Sequence, residues 1–169
     1  LHEAVGSLLV QKTGHYVDAT FGVGGHSRLL AQQGAKVLAL EWDSHIVKLY
    51  ADGLRDLGIT LIEANYADIA EVAKGNNFVP CDGILFDLGL SMAQIRESGR
   101  GFSYEKDGEP LDMRLNEELE TTAAQIINSY NKDQLYEIFT RHAEELSSRA
   151  IVDDIVRART LRNIETGGD

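Results

Sequence analysis

Apolar positions along this chain recur at two spacings, and the pattern changes about halfway. Residues 3–10 (EAVGSLLV) place apolar side chains at helical intervals, which predicts an amphipathic helix. Residues 15–20 (HYVDAT) read as a short strand running into a Gly-rich turn. A helix is predicted over 26–33, with Gly34 as its stop. Residues 36–40 (KVLAL) are almost uninterruptedly apolar, the pattern of a strand covered on both faces. Ser44 is suited to cap a helix running to about Leu57, closed by Gly58. A third strand is predicted over 59–63, a short helix over 67–73 and a fourth strand over 82–86 (DGILF). Strands alternating with helices imply a parallel sheet with right-handed crossovers, in the doubly wound order 3-2-1-4.

After about residue 92 the alternation stops. Residues 96–118 hold Gly99, Gly101, Gly108, Pro110 and many charges with little periodicity, so a long irregular segment is expected. Helices are predicted over 119–130, 132–140 and roughly 145–160, the last with Ile151, Ile155 and Ala158 on one face and Val152 and Val156 beside it. The expected fold is therefore α/β, a Rossmann-like sheet over residues 1–93, followed over 94–169 by an irregular loop and a helical cap or insertion. Four strands are few for a doubly wound sheet, and an incomplete sheet is expected. The chain begins at Leu1 without a methionine and stops at Asp169, and both ends read as cut.

Composition narrows the class. With 43% hydrophobic and 25% charged residues, the 169-residue chain reads as a soluble globular protein and excludes a collagen-like, coiled-coil or disordered one. Its one cysteine, Cys81, excludes an internal disulfide or a multi-cysteine metal site, and a reducing, cytoplasmic setting is expected. No apolar run approaches the roughly 20 residues that span a bilayer. A net charge of −11 argues against a surface coated in positive charge for nucleic acid.

Three places carry candidate chemistry. The first is the turn 18–27 (DATFGVGGHS), whose glycines permit left-handed backbone and close approach of a ligand. Gly22 and Gly24 fit the start of the dinucleotide pattern G-x-G-x-x-G, but Ser27 stands where its third glycine belongs. Asp18, just before the turn, suits a ligand with an ammonium group, such as the methionine part of S-adenosylmethionine. The second is Glu41, at the tip of the second strand, where a carboxylate accepts hydrogen bonds from both ribose hydroxyls of an adenosine ligand. Asp43 is its rival. The third is 87–94 (DLGLSMAQ), following the fourth strand. Asp87 is suited to accept from a nucleobase amino group, or alternatively to cap the next helix. Gln94 offers both a donor and an acceptor. Tyr66, after the third strand, is either an adenine-stacking ring or a partly buried aromatic. His15, His26 and His142 lack metal-ligand spacing, so no metal is expected. Arg141, Arg149, Arg157, Arg159 and Arg162 lie in the helical part, as a solvated face or as phosphate contacts.

The phrases VDATFGVGGHS (17–27), DGILFDLGLSMAQ (82–94), RGFSY (100–104) and PLDMR (110–114) together resemble the bacterial 16S ribosomal RNA cytosine-N4 methyltransferase family, called RsmH or MraW. RGFSY with PLDMR is the specific part, and the resemblance runs in order over essentially the whole chain. It implies S-adenosylmethionine as cofactor, 16S ribosomal RNA or the small subunit as partner, and a Rossmann-like domain interrupted by a helical substrate-recognition insertion. Carried over by position, Gly24, Gly25 and His26 would hold the methionine end of the cofactor, Glu41 the ribose, and Tyr66 would lie near the adenine. Asp87 and Gln94 would complete the pocket, with Asp87 also the catalytic candidate. The family usually has Asp in place of Glu41, Phe in place of Tyr66, and Ser-Pro where Met92 and Ala93 stand. Its members also continue beyond this ending and return to the sheet. From the residues alone, two other functions remain: a nucleotide-dependent oxidoreductase of the NAD type, or a non-catalytic RNA-binding or assembly module that keeps the pocket.

Overall fold

The computed structural model describes all residues from Leu1 to Asp169. They form two compact units, Leu1–Gln94 and Ile95–Asp169.

In the first unit, α1 (His2–Ser7) precedes β1 (His15–Asp18), α2 (Gly25–Gln32), β2 (Lys36–Glu41), α3 (Ser44–Tyr50), β3 (Ile59–Glu63), α4 (Ile69–Gly75) and β4 (Gly83–Leu85). The strands are parallel and ordered β3-β2-β1-β4, as the alternation of elements predicts. Successive strand residues point to opposite faces, so the run KVLAL supplies two cores at once. Val37 and Ala39 pack with Val5, Tyr16, Leu30, Ile46, Leu54 and Ile59, while Leu38 and Leu40 pack with Val17, Ala73 and Phe78. A strand that must be apolar on both sides therefore reads as a continuous apolar run.

One helix departs from expectation. Instead of running from 44 to 57, α3 ends at Tyr50, and a separate 3-10 turn covers Arg55–Leu57 before Gly58 closes it in the left-handed region. Its cap is Asp43, whose side chain accepts from His45 N at 3.0 Å, with Ser44 as the first helical residue. Both residue types are good caps, and burial of Asp43 beside the strand decides between them.

The boundary between the units falls within α5 (Met92–Glu97), a short helix that the pattern of the chain did not announce. In the second unit, α6 (Ala123–Ser129) and α7 (Lys132–Arg141) each begin with a reciprocal capping box, Thr122 with Gln125 and Asn131 with Gln134. α8 (Ser148–Ala158) buries Ser148 and Val152, so its inward stripe is centred one residue on from Ile151. The long segment before α6 is irregular but highly bonded. Arg114 grips Asp112 with Nε and Nη2 at 2.7 and 2.8 Å and also donates to the carbonyls of Glu117 and Leu119. Arg100 Nη1 donates to the carbonyls of Arg114 and Leu115, and Met113 N to Arg100 O. At Gly101, φ is +78° and a Cβ would lie 2.4 Å from Pro110 O, so only glycine fits. RGFSY and PLDMR thus fold against each other.

Leu38 is fully buried between two strands. Leu38→Ala is expected to cost about 2–5 kcal/mol, read as a lowered midpoint in urea unfolding.

Candidate functional site

Parallel register brings the carboxyl ends of β1, β2 and β4 together. Asp18 pairs with Ala39 on one side and Leu85 on the other, so the residues that follow these strands emerge side by side. Ala19 N donates to Leu85 O and Phe21 N to Leu40 O, at 2.9 Å each. The crevice beyond such strand ends is the usual ligand position in open α/β sheets.

The turn between β1 and α2 is held open by two left-handed glycines, Gly22 at φ +55° and Gly24 at +79°. Gly24 serves as the N-cap of α2, and a Cβ there would sit 2.6 Å from the Phe21 ring. Glu41 fixes the outer edge of this turn. Its Oε2 accepts from Gly22 N and its Oε1 from Asp43 N, both at 2.9 Å. Burial pushes its carboxyl above the ordinary range, the two backbone donors oppose that rise, and neighbouring Asp43 adds to it.

Asp18 is placed differently from the ligand-facing role its position suggested. It is fully buried, accepting from Ser27 Oγ at 2.6 Å and Thr20 N at 3.2 Å. Ser27, also buried, occupies the position of the third glycine because its hydroxyl is the partner of that carboxylate. Burial raises the Asp18 carboxyl above its usual value, against these hydrogen bonds and the nearby His26. Asp43, the rival of Glu41, is likewise buried, and it caps α3 and accepts from Gln94 Nε2 at 3.2 Å. Gln94 is buried too, and its Oε1 accepts from Ser91 N at 2.8 Å, so it ties the segment after β4 to the tip of β2.

On the other side of the turn, His26 Nδ1 lies 3.8 Å from Asp87 Oδ2; the histidine side chain is 12% exposed and the aspartate 69%. Asp87 N donates to Thr20 Oγ1 at 2.8 Å, and the next helix, α5, begins only at Met92, five residues further along the chain. Both side chains line a cavity of about 380 Å³ with Leu1, Ala4, Leu85 and Phe86. Phe86 meets Tyr66 edge to face, with centroids 5.9 Å apart, and both rings are about half exposed. The structure therefore gathers Gly24, Gly25, His26, Glu41, Tyr66, Asp87 and Gln94 around the ends of β1, β2, β3 and β4. Sequence reasoning passed over Thr20 and Phe86. Strand alternation in DGILF was the available clue to Phe86, since it and Ile84 both point out of the core.

The five arginines of the helical part are engaged within their unit. Arg141 pairs with Glu137 at 2.7 Å, Arg162 with Asp169 at 2.8 Å, and Arg157 with Asp154. Arg149 lies over the Tyr136 ring, and Arg159 donates to Ile127 O. The exposed pairs are weak, leaving those charges available to an anion at small cost.

A doubly wound parallel sheet with a glycine turn after β1 and a carboxylate at the tip of β2 defines a Rossmann-like α/β protein. The model of the MraW methylase family matches residues 1–169, and the chain belongs to that family. Proteins named ribosomal RNA small subunit methyltransferase H are similar to it throughout. The one from Clostridium botulinum (strain Loch Maree / Type A3) is 37% identical over 100% of this chain and 56% of its own length. That of Desulfotalea psychrophila is 38% identical over 98% and 58%, and that of Thermomicrobium roseum 40% over 98% and 52%. The chain spans about half the length of the curated relatives it matches. No helix is long and apolar enough to cross a membrane.

Asp18 yields a pH prediction. Burial holds its carboxyl above the ordinary aspartate range in the folded protein, so its favourable contribution to stability is complete below that range and is lost as pH rises through the raised value. Asp18→Asn cannot ionise. Its unfolding free energy, followed by urea titration at successive pH values, is expected to fall less than that of the parent across this window.

Proposed function

We propose that this chain binds S-adenosylmethionine and takes part in methyl transfer to the exocyclic N4 of a cytidine in 16S ribosomal RNA, in the cytoplasm. The observation that carries the reading is the clip from Glu41 to the glycine turn, set beside Asp87 at the end of β4. The family and the names of the relatives support the same conclusion.

The residues present fit the cofactor. A side chain at Gly24 would collide with Phe21, so the turn stays bare and its backbone approachable. Gly24, Gly25 and the first turn of α2 would hold the methionine end, where backbone N–H groups favour a carboxylate. Each Glu41 oxygen accepts one backbone N–H and keeps acceptor capacity for a ribose hydroxyl. Tyr66 and Phe86 offer apolar ring surface for an adenine. When bound, the cofactor supplies an electrophilic methyl on a sulfonium leaving group.

The chain's own task is orientation. A cytosine N4 amine is a poor nucleophile because its lone pair delocalises into the ring. Asp87, largely exposed into the cavity and anchored through its N–H by Thr20, is suited to accept one N4 hydrogen and turn the nitrogen toward the methyl. The base must leave the stack to expose this edge. In the irregular segment 96–120, acidic side chains outnumber basic ones, eight to four. RNA phosphates would therefore meet the arginines of the helical unit instead. A dinucleotide oxidoreductase finds no support here, because buried Ser27 fills the third glycine position.

Calorimetry with S-adenosylhomocysteine and with NAD separates the classes: binding of the first and not the second is expected, and the reverse would refute the proposal. Glu41→Ala should weaken S-adenosylhomocysteine binding by about tenfold or more, equivalent to about 1.4 kcal/mol. In the full-length protein, Asp87→Ala should abolish most methyl transfer to small-subunit RNA in a tritium-transfer assay, and unchanged turnover would remove Asp87 from the mechanism.

A further inference from the structure

We infer that Tyr136 and Arg149 form a stacking platform for an unpaired RNA base, so that the helices α7 and α8 hold single-stranded RNA by a ring face as well as by phosphate contacts. This deepens the proposed function and rests on it for the identity of the nucleic acid.

Four observations carry it. First, the Arg149 guanidinium carbon lies 5.5 Å from the centroid of the Tyr136 ring. Both side chains are at the surface, and the tyrosine is 36% exposed. An aromatic ring and a guanidinium are the two flat side-chain groups on which splayed-out RNA bases stack. Second, the pair has a fixed footing. Leu135, beside Tyr136 in α7, and Ser148, beside Arg149 in α8, are each 1% exposed. Lys132 pairs with Asp153 one turn away, so the two helices run antiparallel and are joined at successive turns on this face. A group held by its helix loses little freedom on binding.

Third, Arg149 has donors to spare. Arg141, Arg157 and Arg162 meet carboxylates and Arg159 a carbonyl, whereas Arg149 spends no side-chain N–H on a protein oxygen. Its planar fork is free for the phosphate next to a stacked base. Fourth, residues 131–162 hold six basic and six acidic side chains, so the net charge of −11 falls wholly on the other ten basic and twenty-one acidic ones. A polyanion meets no net repulsion from this stretch. A duplex keeps its base faces inside its own stack, so a platform of this kind selects unpaired RNA.

The test measures, by fluorescence anisotropy, binding of a fluorescein-labelled single-stranded RNA dodecamer and of its duplex to the full-length protein. Tyr136→Ala should weaken single-strand binding about tenfold, the scale of one lost base stack, and duplex binding less than about twofold. Tyr136→Phe keeps the ring and should bind like the parent. The slope of log Kd against log salt should be unchanged in Tyr136→Ala and smaller by about 0.7 in Arg149→Ala, which removes one phosphate contact. Equal losses in the Phe and Ala variants, equal losses for single strand and duplex, or parent-like binding by Tyr136→Ala would overturn the inference, as would a parent that binds no single-stranded RNA. The Kd for S-adenosylhomocysteine should stay unchanged in all three variants; a parallel loss there would assign the effect to folding and refute the platform. Failure of the methyl-transfer reading shows separately, as a parent that does not bind S-adenosylhomocysteine.

Discussion

Glu41 joins two loops that come from different strands, and the shape of the crevice depends on that join. Its oxygens take the N–H of Gly22 on one side and of Asp43 on the other. Both donors belong to backbone that has left the sheet and has no strand partner there. The carboxylate fastens the turn at Gly22, beyond the bond from Phe21 N to Leu40 O. The arrangement is costly, since burial disfavours the charge, and the donors offset that cost by stabilising the ionised form. A group held in such balance is found where a site needs fixed geometry.

A second carboxylate performs the same service below the turn. Asp18 and Ser27 form a buried pair that fastens the end of β1 to the first turn of α2. A third, Asp43, caps α3 and receives the Gln94 amide. Three acids within a short stretch of sheet edge therefore do three jobs. Asp18 fixes the floor of the turn, Glu41 its rim, and Asp43 the loop that carries Gln94. Asp87 stands apart from them as the exposed one, with His26 beside it.

The second unit shows how an irregular segment becomes ordered without secondary structure. Arg100 and Arg114 spend their guanidinium donors on carbonyls and on Asp112, and Gly101 lets Pro110 O approach where a side chain would block it. The Arg114 guanidinium holds the Asp112 carboxyl below its usual range, through a hydrogen bond first and charge second. Little apolar burial is needed when so many backbone groups are satisfied by two side chains.

Much of the first unit was legible in the chain. The run KVLAL, the alternation of strands with helices and the glycines of the turn follow rules of local spacing, and they yield the order β3-β2-β1-β4 without any contact being known. The gathering of Glu41, Asp87 and Tyr66 near strand ends follows from the same topology. What spacing leaves undetermined is which carboxylate faces where. Asp18, Glu41 and Asp43 look alike in sequence, and burial and hydrogen-bond partners separate them only after the strands have paired. The early end of α3 and the knot of RGFSY with PLDMR are of the same kind. Periodicity records how each residue relates to its near neighbours, whereas a buried polar group is satisfied by whichever partner the folded chain brings from far away.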